Sequence, residues 1–278
     1  MNPALREKQQ KLEEVVRPME RVLVAFSGGV DSSFLLASCS RILGSNRVFA
    51  VIGDSPTLAR RELHKAVAFA SSLGLSPRII HTGEMEDERF RENPEDRCYY
   101  CKRDLFGRIR AIAKEVRVDA ILDGTNRDDT TGHRPGRRAA EELGILSPLV
   151  EAGLGKQDIR DLSKHMGLST WNQPAMACLA SRFPHGHRIT KDGLGRIEKA
   201  ENVLLGMGFR NVRVRDHAGL ARIEVDREDI QRLLACQASS ILKRLGFRYV
   251  TVDLEGFRSG SLSPQSAMVS RDPESRRP

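Results

Sequence analysis

Two groups of residues have the types and spacing that chemistry needs. The first is Ser27-Gly28-Gly29-Val30-Asp31-Ser32-Ser33, placed between the apolar run Arg21 to Phe26 and a helical pattern from Phe34 to Leu43. Gly28 and Gly29 can take φ > 0 and let the backbone approach an anion. Successive N–H groups, the positive end of the following helix and the hydroxyls of Ser27, Ser32 and Ser33 then make a cradle for phosphate. The plainer reading is a glycine-rich βα turn capped by Ser and Asp. The stretch has no Walker A lysine, so it does not read as a loop that transfers a γ-phosphate. The second group is thiols: Cys98 and Cys101 in Cys98-Tyr99-Tyr100-Cys101, and Cys178 in Cys178-Leu179-Ala180-Ser181-Arg182-Phe183-Pro184.

A CxxC near a helix start favours thiolate. By itself it is open between zinc, iron–sulfur and dithiol chemistry, with two buried thiols as the plain alternative. No second CxxC exists, so a closed four-cysteine zinc site cannot be built from pairs. Cys178 falls in an aperiodic junction where Arg182 would favour its thiolate. Cys39 and Cys236 sit on apolar helical faces and read as core. In Asp123-Gly124-Thr125-Asn126-Arg127-Asp128-Asp129, Gly124 would let backbone meet adenine or ribose. Asp128 or Asp129 could hold Mg²⁺ or a hydroxyl; a capped polar loop is the alternative. Arg213 and Arg215 share one face of a strand and, with Arg182 and Arg188, are candidates for a phosphate or carboxylate clamp. A solvated strand face is the plain reading of the first two. The seven histidines show no convincing metal-ligand spacing.

The elements that must position these groups alternate. Strands are expected at 21–26, 47–52, 77–81 and 120–122, with a further strand at 145–150. Helices are expected at 4–17, 32–43, 59–73, 98–116 and 156–166. Such alternation means an α/β fold with a doubly wound parallel sheet, and ligands at the carboxyl ends of its strands. Residues 27, 53–56 and 123–128 lie at such ends. The polar stretch 82–97 is too long to be a mere connector and is a candidate cover for a site. After the aperiodic stretch 169–188 the pattern changes. A helix at 190–206, strands at 211–216 and 220–225, a helix at 227–243 and a strand at 247–252 make a second, smaller α+β domain. The expected boundaries are 1–175 and 176–260, with a disordered tail at 261–278.

The totals narrow the partners. A net charge of +8 over 278 residues suits anionic substrates such as nucleotides and also permits RNA. Aromatic content is 5%, and no basic stripe is interleaved with stacking aromatics, so nucleic acid is not indicated. No apolar run reaches membrane-spanning length, and the charged start does not read as a secretory signal. A cytoplasmic location is expected, where five irregularly spaced cysteines argue against a disulfide framework.

The loop at 27–33 resembles the SGGxDS loop of PP-loop enzymes that split ATP into AMP and pyrophosphate. Over residues 5–262 the chain resembles the ATP-dependent sacrificial sulfur transferases, the LarE family. Its points of likeness are SGGVDSS at 27–33, DGTNRDD at 123–129, CLASRFP at 178–184 and ITKDGLGRIEKAE at 189–201. They continue through VRVRDHAGLARIEV at 212–225 and YVTVDLEGFRSGS at 249–261. The resemblance implies ATP and Mg²⁺ at Ser27, Gly28, Gly29, Asp31, Ser32, Ser33, Gly124 and Asp128. It implies pyridinium-3,5-biscarboxylic acid mononucleotide as substrate, with Asp31 and Cys178 carrying the chemistry and Arg182, Arg213 and Arg215 as candidate substrate contacts. In single-cysteine members the thiol matching Cys178 gives up its sulfur and becomes dehydroalanine. Cys98, Cys101 and Cys178 together resemble a subgroup in which three cysteines hold a [4Fe-4S] cluster that delivers sulfide. The chain departs from the family pattern at His185, where many members have Tyr, and in the tail. The family also implies a sulfide source, other nickel-pincer cofactor synthesis enzymes as partners, and a homo-oligomer, a hexamer or a trimer. A tRNA thiolase and a non-catalytic nucleotide sensor are the competing readings.

Overall fold

The computed structural model describes residues 2–131, 134–174 and 177–258. Helix α1 (Pro3–Val16) starts at Asn2, whose side chain accepts from the Ala4 N–H, and has Pro3 in its first turn, where no N–H is needed. There follow β1 (Val22–Ala25), α2 (Val30–Leu43), β2 (Val48–Asp54), α3 (Arg60–Ser72), β3 (Arg78–His81), α4 (Glu88–Arg91) and α5 (Arg97–Val116). Next come β4 (Ala120–Asp123), α6 (Pro135–Glu142), α7 (Pro148–Glu151) and α8 (Lys156–His165). The four strands are parallel in the order β3-β2-β1-β4.

Alternation along the strands fills both faces. Val22, Val24, Val48, Ala50 and Ile52 pack with α1, α2, α3 and α8, while Leu23 and Val51 pack with Phe106 and Ile109 of α5 and Ala140 of α6. The sheet is therefore doubly wound, and its strand order reverses at the β1–β4 crevice, where ligands sit in such folds. Two details differ from expectation. β2 continues through Gly53 to Asp54, which pairs with His81 and accepts from the Thr82 N–H, so the turn begins only at Ser55. The strand expected at 145–150 is reduced to one bridge, Leu122 to Leu146, because Pro148 cannot donate to a ladder and instead opens α7.

The chain divides into two compact units, Met1–Phe90 with Asp96–Ala177, and Arg91–Glu95 with the residues from Cys178 onward. In the smaller unit α9 (Lys191–Gly206) is followed by β5 (Arg213–His217), β6 (Leu220–Glu224), α10 (Ile230–Ala235), α11 (Ala238–Arg244) and β7 (Tyr249–Val252). β5 and β6 form an antiparallel hairpin through Ala218 and Gly219, both at positive φ, and β7 lies parallel to β6. The helix expected at 227–243 is interrupted at Cys236, whose backbone is extended while its N–H and thiol both go to the Leu233 carbonyl.

Part of the stretch 82–97 belongs to this smaller unit. Asn93 is fully buried at φ 58°, and its side-chain amide donates to the carbonyls of Phe183 (3.3 Å) and Pro184 (2.8 Å). Its own carbonyl accepts from the Gly186 N–H, and that of Arg91 accepts from Ile189. The expected disordered tail, 261–278, lies outside the described residues. Among the described residues no helix is long and apolar enough to cross a membrane.

Candidate active site

The loop after β1 is shaped by glycine. Gly28 has φ +82°, and a Cβ there would stand 2.7 Å from the Ala66 Cβ of α3. Both the backbone and the neighbour therefore exclude any side chain. Gly29 caps α2, and its carbonyl accepts from the Ser33 N–H at 2.9 Å. Ser27 Oγ and Ser32 Oγ are 3.0 Å apart, and Ser32 Oγ donates to the Gly29 carbonyl. Two buried atoms of the loop, Asp31 Oδ1 and Ser33 Oγ, have no hydrogen-bond partner. They leave one acceptor and one hydroxyl at the helix start open to a ligand.

Gly124, at the end of β4, serves packing. A Cβ there would lie 2.8 Å from the Ser32 backbone nitrogen, so α2 and β4 close on one another only over glycine.

Lys156, the first residue of α8, was not singled out by its sequence. Its ammonium lies 2.7 Å from Asp31 Oδ2, half-exposed, and its backbone N–H donates to Asp128 Oδ2 at 2.7 Å. The lysine missing from the loop is thus supplied from 125 positions away. Only a Gly-Lys at a helix start could have signalled it, and that pattern is weak. The Lys156 N–H, followed by the Arg127 side chain, holds the Asp128 carboxyl below its usual value. Burial pushes Asp158 up, but Lys8 at 2.6 Å and the Gly155 N–H outweigh it and keep it below its usual value.

Of the thiols, Cys98 and Cys101 lie in the first two turns of α5, three residues apart and hence on one face. Cys98 is exposed and Cys101 half-buried. Tyr99 lies beneath the Arg138 guanidinium (4.0 Å) and donates to Glu142. Cys39 is buried, which pushes its thiol up to about 12 and leaves it inert. Cys98 and Cys101 belong to the larger unit and Cys178 to the smaller. Among the described residues no group of three or more His, Cys, Asp or Glu side chains is placed to hold a metal.

Cys178 is exposed at the start of a 3₁₀ turn, Leu179–Arg182. Behind it stand two buried ion pairs. Arg182 meets Glu201 through two bonds of 2.8 and 3.1 Å. Arg215 meets Glu224 through bonds of 2.9 and 2.8 Å. Glu201 also accepts from the Val214 N–H, Arg215 donates to the Ser181 carbonyl, and Arg222 joins Glu224 at 3.0 Å. The guanidiniums of Arg182 and Arg215, candidates for a substrate clamp, are thus buried against the chain's own carboxylates. Arg213, the third candidate, lies over the Phe257 ring and donates to the Val212 carbonyl. Burial, then the nearby Arg222, His187 and Arg215, lowers the pKa of His217.

A family model described as NAD synthase matches residues 5–117. An uncharacterized protein of Synechocystis is 39% identical over 93% of this chain and 98% of its own length. The pyridinium-3,5-bisthiocarboxylic acid mononucleotide synthase of Lactiplantibacillus plantarum is 37% identical over 92% of this chain and 94% of its own. An uncharacterized protein of Methanocaldococcus jannaschii is 30% identical over 86% and 92%. Likeness at this level over both units and nearly the whole of each relative means that the chain belongs to the LarE family of PP-loop enzymes, with the pyridinium-3,5-bisthiocarboxylic acid mononucleotide synthase among its relatives.

Proposed function

We propose that this chain is an ATP-dependent sulfur transferase that adenylates the carboxylates of pyridinium-3,5-biscarboxylic acid mononucleotide and converts them to thiocarboxylates. The observation that carries the reading is the cradle at 27–33 with Lys156 at its acidic residue. A carboxylate is a poor electrophile, and joining it to AMP makes its carbon attackable. The reaction must then stabilise charge on departing pyrophosphate. Glycine-exposed N–H groups, the Ser33 hydroxyl and the Lys156 ammonium supply fixed donors and positive charge for that. Asp31, with one carboxylate oxygen unpartnered, would hold Mg²⁺, which would neutralise the phosphate oxygens.

The second half-reaction needs a sulfur nucleophile. Thiols are the ligands iron–sulfur clusters take, and Cys98, Cys101 and Cys178 would hold a [4Fe-4S] cluster. When bound, it would supply an exchangeable sulfide at the iron without a protein ligand. The alternative donor is the Cys178 thiol itself, which would leave dehydroalanine at that position. A pyrophosphate–ATP isotope exchange that requires the pyridinium dicarboxylate is the expected signature of adenylation. Exchange that ignores the dicarboxylate would remove the substrate assignment, and no exchange would remove the enzyme. Iron and sulfide assays on anaerobically purified protein, with the mass of the chain after turnover, separate the two donors. About four irons per chain and an unchanged mass are expected for the cluster; loss of one H₂S equivalent at Cys178 is expected for the thiol.

A further inference from the structure

Helix α1 carries a charge on the stripe that faces the core. Leu5, Leu12 and Val16 recur at helical spacing and pack into the interior of the larger unit, Leu12 and Val16 fully buried. Lys8 falls on the same stripe, between Leu5 and Leu12, and is partly buried. Its ammonium lies 2.6 Å from Asp158 Oδ2, 150 positions along the chain, in the first turn of α8. The apolar residues already hold α1, and a partly exposed ion pair adds little to stability. What the pair changes lies at its other end. Asp158 Oδ2 also accepts from the Gly155 N–H at 2.9 Å, and the next N–H, that of Lys156, goes to Asp128 Oδ2 at 2.7 Å. Both peptides that lead into Lys156 are therefore held by carboxylates. A Cβ on Gly155 would stand 2.7 Å from Arg127 Nη2 and 2.8 and 2.9 Å from the two Asp128 oxygens, so the turn is closed against the loop after β4. The Arg127 N–H completes the closure on the Leu154 carbonyl at 2.8 Å.

We propose that Lys8 is a positioning residue for Lys156: by holding Asp158 it fixes the Gly155–Lys156 turn, and with it the line along which the Lys156 ammonium reaches Asp31. This role rests on the adenylation reading for its effect on rate, and on the bonds alone for its structural content. A lysine ammonium rides on a flexible four-carbon stem. It is aimed in advance only if the backbone it starts from is fixed. Without Lys8, Asp158 keeps a charge with no ammonium beside it, turns to water and releases the Gly155 N–H. The turn then holds Lys156 by the Asp128 bond alone. A displacement of about 1 Å at a group that acts on the reacting atoms costs up to about 10²-fold in rate. The Lys156 ammonium meets more charge on departing pyrophosphate than on bound ATP, so the loss falls on kcat rather than on KM.

The test has two arms, both on the full-length chain. In the first, amide hydrogen exchange is followed residue by residue without nucleotide. The Gly155 and Lys156 amides are expected to exchange at least about tenfold faster in Lys8→Met and to stay near native in Lys8→Arg, while the buried Leu35 and Leu36 of α2 keep their rates. Asp158→Asn, which leaves an acceptor for Gly155 but no charge for Lys8, should free the turn from the other partner. In the second arm, pyrophosphate–ATP exchange should show kcat about tenfold lower in Lys8→Met, with KM for ATP within about twofold and most of the rate recovered in Lys8→Arg. Because Lys8 acts through Lys156, Lys8→Met should cause no further loss in a Lys156→Met chain. Native exchange at Gly155 and Lys156 in Lys8→Met, equal loosening of α2, or losses that multiply in the double variant would each overturn the proposal. A native chain that catalyses no pyrophosphate exchange would remove the proposed function instead, and the amide arm would still decide whether Lys8 holds the Lys156 turn.

Discussion

The loop at 27–33 and the turn at 178–182 solve opposite problems. The loop leaves polar atoms unmet: Asp31 Oδ1 and Ser33 Oγ are buried without partners, and its counter-charge, Lys156, is half-exposed and tethered by one contact. The turn is backed by charges met within the chain, with Arg182 on Glu201 and Arg215 on Glu224, all four buried. A site that must accept a foreign ligand keeps polar atoms in reserve, here one acceptor and one hydroxyl. A site that must hold one of its own residues in place spends its donors beforehand. Buried ion pairs add little net stability compared with apolar packing, but removing one partner strands the other. Their presence behind Cys178 therefore suits positional accuracy better than stability.

The contrast can be broken from either side. The largest effect is expected from Glu201→Ala, which strands the Arg182 charge in a site it cannot leave. A loss of about 3–5 kcal/mol in denaturant-measured stability is expected, and a loss under 1 kcal/mol would mean the pair is not the frame described. Lys156→Met acts on the other region. It should lower pyrophosphate–ATP exchange by about 10²–10³-fold, with Lys156→Arg recovering part of it and the melting temperature unmoved. If melting fell while exchange held, Lys156 would be a structural partner of Asp31. Gly124→Ala forces a Cβ onto the Ser32 backbone and should cost about 1–3 kcal/mol by overpacking, with a raised KM for ATP. The smallest effect is a pH dependence at His217. Its folded pKa lies below the ordinary 6.5, so between those values the unfolded chain binds more protons. The stability it contributes is complete above 6.5 and is lost as pH falls toward its folded value. Melting curves across that interval should steepen in the native chain relative to His217→Gln.

Much of the larger unit was legible in sequence because its information is local. Short continuous apolar runs define β1 and β2, and two glycines with a serine–aspartate start define the cradle. What was hidden depends on partners far along the chain. Lys156 looks like any helix-start lysine until Asp31 is beside it. The carboxylate partners of Arg182 and Arg215 were hidden too, because a sequence lists charges without their neighbours. Glu201 and Glu224 lie 19 and 9 positions from Arg182 and Arg215. The strand expected at 145–150 is cut short at Pro148, whose missing donor suits the start of α7 instead.

The buried amide of Asn93 has a practical consequence for dividing this molecule. Arg91–Glu95, from the end of α4 toward α5, are structurally part of the unit that otherwise begins at Cys178, and Asn93 among them donates to the carbonyls of Phe183 and Pro184. Expression from residue 178 onward would omit that clip, leaving the Phe183 carbonyl without the Asn93 amide and the Pro184 carbonyl with the His187 N–H alone. The smaller unit is therefore an unsuitable module for grafting, and a chain cut or circularly permuted near 93 would be harmed at a point where the sequence looks like an ordinary surface loop.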